Sequence, residues 1–246
     1  MTSREGRMRA GSLFSGIGGF DLGLERAGFT ISWQVEIDPY CQRVLAKHWP
    51  NVTRYGDITA MDWTTVQPVD LLCGGFPCQD LSFAGKRAGI DGARSGLWSE
   101  YVRAIRHLRP RYVLVENVPG LLSNAYMGRV FGDLAQSGYD AEWTVLSAAQ
   151  FGAPHLRNRV WIAAYPHSCA MEKCPLVFTK ELSWQFSGVG REALAGDHWQ
   201  TYQPGLVGMA YGIPHRVDRL KGLGNAIVPQ IAEALGRMIL ARVRGA

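Results

Sequence analysis

The chain has 246 residues, 47% of them apolar and 19% charged, with a formal net charge of +5. This balance excludes a disordered polyelectrolyte, and the length is enough to bury a core over one or two domains. No run approaches the ~18 consecutive apolar residues of a membrane span, and the opening MTSREGRMRAG is charged without an apolar leader, so a cytoplasmic protein is expected. Five cysteines with no framework spacing read as free thiols in a reducing compartment. The 29 glycines cluster sharply between apolar runs, as tight strand-to-helix turns require.

Taken in chain order, residues 8–14 predict a short buried strand, and Gly16, Gly18 and Gly19 a tight turn. FDLGLERA follows as a helix that Gly28 stops. TISWQV at 30–35 is a second strand ending at Glu36, and Asp38-Pro39 opens a helix to about His48. VDLLCGG at 69–75 ends another buried strand. Leu97 to Leu108 has helical periodicity, with Trp98, Tyr101, Val102, Ile105 and Leu108 on one side and Pro110 as its stop. Strands are predicted at 111–118, 139–147 and 159–165, with a helix at 127–137 between the first two. From Pro166 to about Lys221 the periodicity breaks down, and a small separate lobe is expected. Gly224-Asn225 then reads as the N-cap of a last helix, with an apolar stripe of Ile227, Ile231, Leu235 and Ile239. The strand–turn–helix alternation predicts an α/β fold with a mostly parallel sheet.

Four places carry candidate chemistry. The turn Ser15-Gly16-Ile17-Gly18-Gly19 follows a strand, and Glu36 ends the next one, where an acid suits ribose hydroxyls. The turn lacks the GxGxxG spacing, so a nucleoside cofactor without pyrophosphate fits, as does a purely structural turn. Cys78, in Gly74-Gly75-Phe76-Pro77-Cys78-Gln79, follows a strand end near Lys86 and Arg87, which favour a thiolate. An inert thiol is the alternative there, and it is the reading for Cys41 and Cys73. Glu116 ends an apolar strand, where burial would raise its pKa and make it a proton donor, or where it could cap a turn. Arg157 and Arg159 precede a strand at i and i+2, as a phosphate grip or an exposed edge. Residues 84–111 carry Lys86, Arg87, Arg94, Arg103, Arg106, Arg109 and Arg111 against Asp91 and Glu100, for phosphate contact or a solvated helix face. His167, Cys169 and Cys174 have no zinc-ligand spacing, so no metal is expected.

Together these segments resemble the DNA cytosine-5 methyltransferase family. LFSGIGGFDLGLERAGF, VEID and GDIT resemble its first three motifs, and GGFPCQDLSFAGKRAG its nucleophile motif and mobile loop. ENVPG resembles the acid motif, QFGAPHLRNRVWIAA the paired-arginine motif and GNAIVP the last motif. The resemblance implies a Rossmann-like fold that uses S-adenosyl-L-methionine to methylate C5 of a cytosine flipped out of double-stranded DNA. The implied catalytic set is Cys78, Glu116, Arg157 and Arg159. Cys78 would attack C6, Glu116 would protonate N3, and the two arginines would hold the base and a neighbouring phosphate.

The implied cofactor set is Phe14, Ser15, Gly16, Gly18, Gly19, Glu36, Ile37, Asp57, Ile58, Pro77, Asn225 and Ala226. Phe14, Ile37 and Asp57 would meet the adenine, Glu36 the ribose, and Gly16, Gly18 and Asn225 the methionine portion. The resemblance divides the chain into a catalytic and cofactor-binding domain at 1–165, a target-recognition region at 166–221, and a returning helix at 222–246. That recognition region is small for the family, and the usual ninth motif is not evident in it. The implied setting is a monomer acting on DNA in a bacterial or phage-infected cell, with a possible place in restriction-modification. RNA cytosine methylation and an inactive DNA-binding relative are the alternatives within reach. A nicotinamide oxidoreductase leaves the Pro-Cys and Glu-Asn-Val elements unexplained.

Overall fold

Short apolar strands and amphipathic helices alternate along the chain and assemble into one sheet covered on both faces. The computed structural model describes residues 7–77, 96–168, 178 and 216–244. The strands are β1 (Arg9–Leu13), β2 (Thr30–Val35), β3 (Thr53–Tyr55), β4 (Leu71–Gly74), β5 (Tyr112–Asn117), β6 (Tyr139–Leu146) and β7 (Arg159–Pro166). The helices are α1 (Gly19–Ala27), α2 (Pro39–His48), α3 (Leu97–Leu108), α4 (Asn124–Gln136), α5 (Arg216–Asn225) and α6 (Pro229–Val243). The sheet order is β3-β2-β1-β4-β5-β7-β6, parallel except for β7, which runs antiparallel to both neighbours.

Alternation along each strand sends side chains to opposite layers. Val113 and Val115 of β5 and Val160 and Ile162 of β7 join a core with Trp98, Tyr101 and Ile105 of α3 and Val130 and Leu134 of α4. Tyr112 and Leu114, with Trp161 and Ala163, face the other layer, against Phe20 and Leu24 of α1 and Ile231, Leu235 and Ile239 of α6. The predicted stripe of α3 is buried at all five positions. Asp38 caps α2, its Oδ1 accepting from the backbone N–H groups of Tyr40 and Cys41.

Register sets where chemistry can occur. Leu13 pairs with Val35 on one side and with Gly74 on the other, and Gly74 pairs with Val115. The carboxyl ends of β1, β2, β4 and β5 therefore share one edge, with the strand order reversing between β1 and β4. Ligands bind in such a crevice in open α/β sheets. Because β7 is antiparallel, Asn117 near the end of β5 faces Val160 near the start of β7. That brings Arg159 to the same edge.

One reading needs correction near the C-terminus. Gly224-Asn225 does not cap the last helix; it ends α5, and the cap of α6 is Val228 with Pro229 in the first turn. Ile227 precedes α6 and packs on the same core as its stripe. Helix α5 also continues across residue 221, where the recognition region was expected to end. Of that region, residues 169–177 and 179–215 lie outside the described residues. The short edge strand β3 was not anticipated.

Candidate active site

The shared edge opens into a cleft of about 530 Å³. Phe14 and Gly16 after β1, Glu36 and Ile37 after β2, and Asp57 and Ile58 after β3 line it. Pro77 after β4, Glu116 on β5, Arg157 and Arg159 at β7, and Asn225 of α5 complete the predicted residues found there. Ser15, Gly18, Gly19 and Ala226 are not part of the lining. Ser15 is buried, and its hydroxyl donates to the carbonyls of Ser12 and Val35, which ties the first turn to β1 and β2. At Gly19 a Cβ would lie 2.4 Å from the carbonyl oxygen of Ile227, so the chain entering α6 rests directly on the first turn.

Glu36 holds the first turn to the start of α2. Its Oε2 accepts from the Gly16 N–H and its Oε1 from the Asp38 N–H, both at 2.7 Å. Each oxygen keeps one further lone pair. Beside it Ile37 is 67% exposed, an apolar surface open to a flat ligand. The Asp57 carboxyl accepts from the backbone and hydroxyl of Thr59, which hold it below the usual carboxylate range. The far wall belongs to α5, where Lys221 donates to Asp38 Oδ2 at 2.8 Å. That pair links two elements 183 residues apart, and sequence reading missed it.

At the other end of the cleft Glu116 is only 8% exposed. Arg159 Nε stands 3.0 Å from its Oε1. Burial pushes the carboxyl up to about 7, against the pull of Arg159 and Arg157. A Cβ on Gly75 would lie 2.9 Å from Glu116 Oε2, so the absence of a side chain there lets this carboxyl rest against the end of β4. Asn117 was also missed. Its Nδ2 donates to the Phe76 carbonyl, and its Oδ1 accepts from Val118 N–H. It thereby fixes the turn that leads to Pro77. Cys78 itself lies outside the described residues.

Arg157 has a left-handed backbone, φ 36°. Its guanidinium donates to the carbonyls of Gly224 at 2.9 Å and Ala226 at 2.7 Å. These two contacts were not anticipated from the sequence. Cys41 and Cys73 are buried free thiols, both raised chiefly by burial, Cys41 to about 12. Neither is a thiolate at neutral pH.

The basic segment divides. Lys86, Arg87 and Arg94 lie outside the described residues. Arg103 donates to carbonyls of Ile58 and Met61, and Arg106 and Arg109 to Ser137, so these three brace α3 against its neighbours. His167 pairs with Asp140 at 2.9 Å, while Cys169 and Cys174 lie outside the described residues. Among the described residues no cluster of three metal-ligating side chains occurs, and no helix is long and apolar enough to cross a membrane.

Residues 8–186 match the family model described as C-5 cytosine-specific DNA methylase. Type II methyltransferase M2.BsuMI of Bacillus subtilis is 40% identical over 164 residues, covering 64% of this chain and 42% of that protein. Type II methyltransferase M.AquIA of a Picosynechococcus species is 37% identical over 171 residues, covering 61% and 69%. The chain thus spans about two fifths of the first relative's length. A candidate DNA modification methyltransferase from an E. coli prophage has a similar structure, with TM-score 0.57 at 29% identity over 65% of this chain and 47% of that one. A Spodoptera frugiperda DNMT2 mutant shares the fold, with TM-score 0.58 at 20% identity over 70% of this chain and 53% of that one.

Proposed function

The chain belongs to the C-5 cytosine-specific DNA methylase family, and we propose that it methylates C5 of a cytosine flipped out of double-stranded DNA, through a covalent bond between Cys78 and C6. The observation that carries this reading is Glu116. A buried carboxyl raised to about 7, 3.0 Å from a guanidinium, sits on the sheet edge where Pro77 leads to Cys78. A carboxyl in that state is half protonated near neutrality and can deliver a proton.

The cleft fits S-adenosyl-L-methionine. Exposed Ile37 offers an apolar face for the adenine, and Glu36 retains acceptor capacity for two ribose hydroxyls. A Cβ on Gly16 would meet open space, so ligand atoms can approach the backbone there. Phe14, Asp57 and Asn225 complete the set that would hold the molecule. When bound, it supplies the electrophilic methyl group that C5 takes up.

The residues of this chain do the rest. C5 of cytosine is a poor nucleophile. A Cys78 thiolate adding to C6 pushes electrons into the ring, and Glu116 gives its proton to N3 as that charge develops. C5 becomes enamine-like and reactive. Afterwards a water takes the C5 proton, its electron pair re-forms the C5–C6 double bond and expels the thiolate, and N3 returns its proton to the Glu116 carboxylate. Arg159 stays beside Glu116 and stabilises it once ionised. The base must leave the duplex stack, because C6 is otherwise unreachable. Bisulfite sequencing of DNA from a host expressing the chain should find protected cytosines within one recurring sequence. Methyl transfer to tRNA alone would favour the RNA reading instead.

A further inference from the structure

The two carbonyls that Arg157 engages belong to Gly224 and Ala226, and between them lies Asn225, which lines the cleft. We infer that Arg157 is a positioning residue for the cofactor cleft, clamping the α5–α6 connection so that Asn225 is held at its wall. The inference rests on the proposed function, since it takes the cleft to bind S-adenosyl-L-methionine.

The connection is gripped from two sides. On one side Gly19 lets the Ile227 carbonyl approach to 2.4 Å of where a Cβ would stand, so the first turn forms a rigid seat. On the other side the planar guanidinium reaches carbonyls two residues apart with two separate nitrogens. A lysine ammonium is a point donor and does not reproduce this fork. Bonds from a charged donor to two carbonyls are stronger than neutral ones and fix orientation as well as distance. The backbone of Arg157 is left-handed at φ 36°, a conformation that a long L side chain adopts at a cost. Keeping an arginine there needs a compensating interaction, and the two carbonyl contacts supply it. The charge of Arg157 also lowers the pKa of Glu116 from a distance, while its contacts stay on the α5–α6 connection. Arg159, two residues on, keeps the Glu116 contact for itself.

The test uses the full chain without DNA and measures S-adenosyl-L-methionine binding by calorimetry. Arg157→Gly removes the guanidinium, and glycine accepts the left-handed backbone without strain. It should bind the cofactor at least about tenfold more weakly, the loss of charge-assisted hydrogen bonds. Millimolar guanidinium should restore part of that affinity, whereas sodium at equal ionic strength should not. Arg157→Lys keeps the charge but not the fork, so it should also bind several-fold more weakly, and it remains decisive if the glycine variant does not fold. Wild-type affinity in either folded variant overturns the clamp, and loss of duplex DNA affinity in that variant would return Arg157 to the base or phosphate. If the wild-type chain itself binds no cofactor, the proposed function falls together with the inference. Binding by the wild type and equally by the variants removes the inference alone.

Discussion

Arg159 Nε lies 3.0 Å from Glu116 Oε1, across the junction where β5 ends beside the start of antiparallel β7. An exposed ion pair of this kind would lower the acid's pKa. Here burial outweighs the arginine, and Glu116 is raised to about 7. The antiparallel strand thus supplies a cation that tempers a buried acid without keeping it ionised.

Glu116→Gln should lower methyl transfer by roughly 10²–10⁴-fold, the usual worth of a general acid. Cofactor affinity should be nearly unchanged. Only protonated Glu116 donates, so the wild-type rate should fall as pH rises through about 7, and the glutamine variant should lose that limb. A pH–rate profile checks both. A loss under about threefold would reduce Glu116 to a structural role.

Gly75→Ala should separate activity from stability. Its Cβ would meet Glu116 Oε2 at 2.9 Å, and the end of a side chain can swing away cheaply. Thermal unfolding should change little, while methyl transfer falls at least about tenfold because the acid is displaced. A destabilised but fully active variant would contradict this.

Glu36→Ala should weaken cofactor binding by about 1.5–3 kcal/mol, since it removes a charged acceptor. It also frees the N–H groups of Gly16 and Asp38 that the carboxylate holds. Calorimetry without DNA measures the effect, and equal affinity would contradict the assignment.

Stability should fall as pH rises through the pKa values of two buried acids. Asp21 is fully buried between Ser12 and Gln34 and raised to about 6 by burial. Glu116 is raised to about 7. A folded-state pKa above the unfolded value means that the folded chain binds more protons, so stability present below about pH 4 is lost through about pH 7. Asp21→Asn and Glu116→Gln remove that loss, on the order of 3 kcal/mol for each at most. Urea unfolding at about pH 5.5 and about pH 8 should show each variant gaining on the wild type at the higher pH. A constant difference would contradict the burial argument.

Periodicity and turn chemistry were enough to place β2 at Thr30–Val35 and α3 at Leu97–Leu108, because both bury a patterned face. Glu116 stood out as a carboxyl ending an apolar run. Helix α5 was hidden, since Gly222 and Gly224 disfavour a helix and its sequence is largely polar. Strand β3 is three residues at a sheet edge and has too few positions to show alternation. The partners of Arg157 lie 67 and 69 residues away, and those of Asp38 include Lys221, so no local pattern exposes either contact. Asp21 reads in sequence as an ordinary acid in a first helical turn. Only the packing of α1 on the sheet shows it to be buried.

Covalent catalysis is the central claim, and a trapped adduct tests it most directly. Fluorine at C5 cannot leave as a proton, so a duplex with 5-fluorocytosine at a position mapped by bisulfite sequencing should hold the enzyme after methyl transfer. The account predicts a complex that needs S-adenosyl-L-methionine, survives denaturing electrophoresis and maps to Cys78. Cys78→Ser should abolish it, because a hydroxyl is a far weaker nucleophile than a thiolate at neutral pH. Replacing Cys41, Cys73, Cys169 or Cys174 singly should leave it intact. An adduct that persists in Cys78→Ser, or one that maps to another cysteine, would contradict the account.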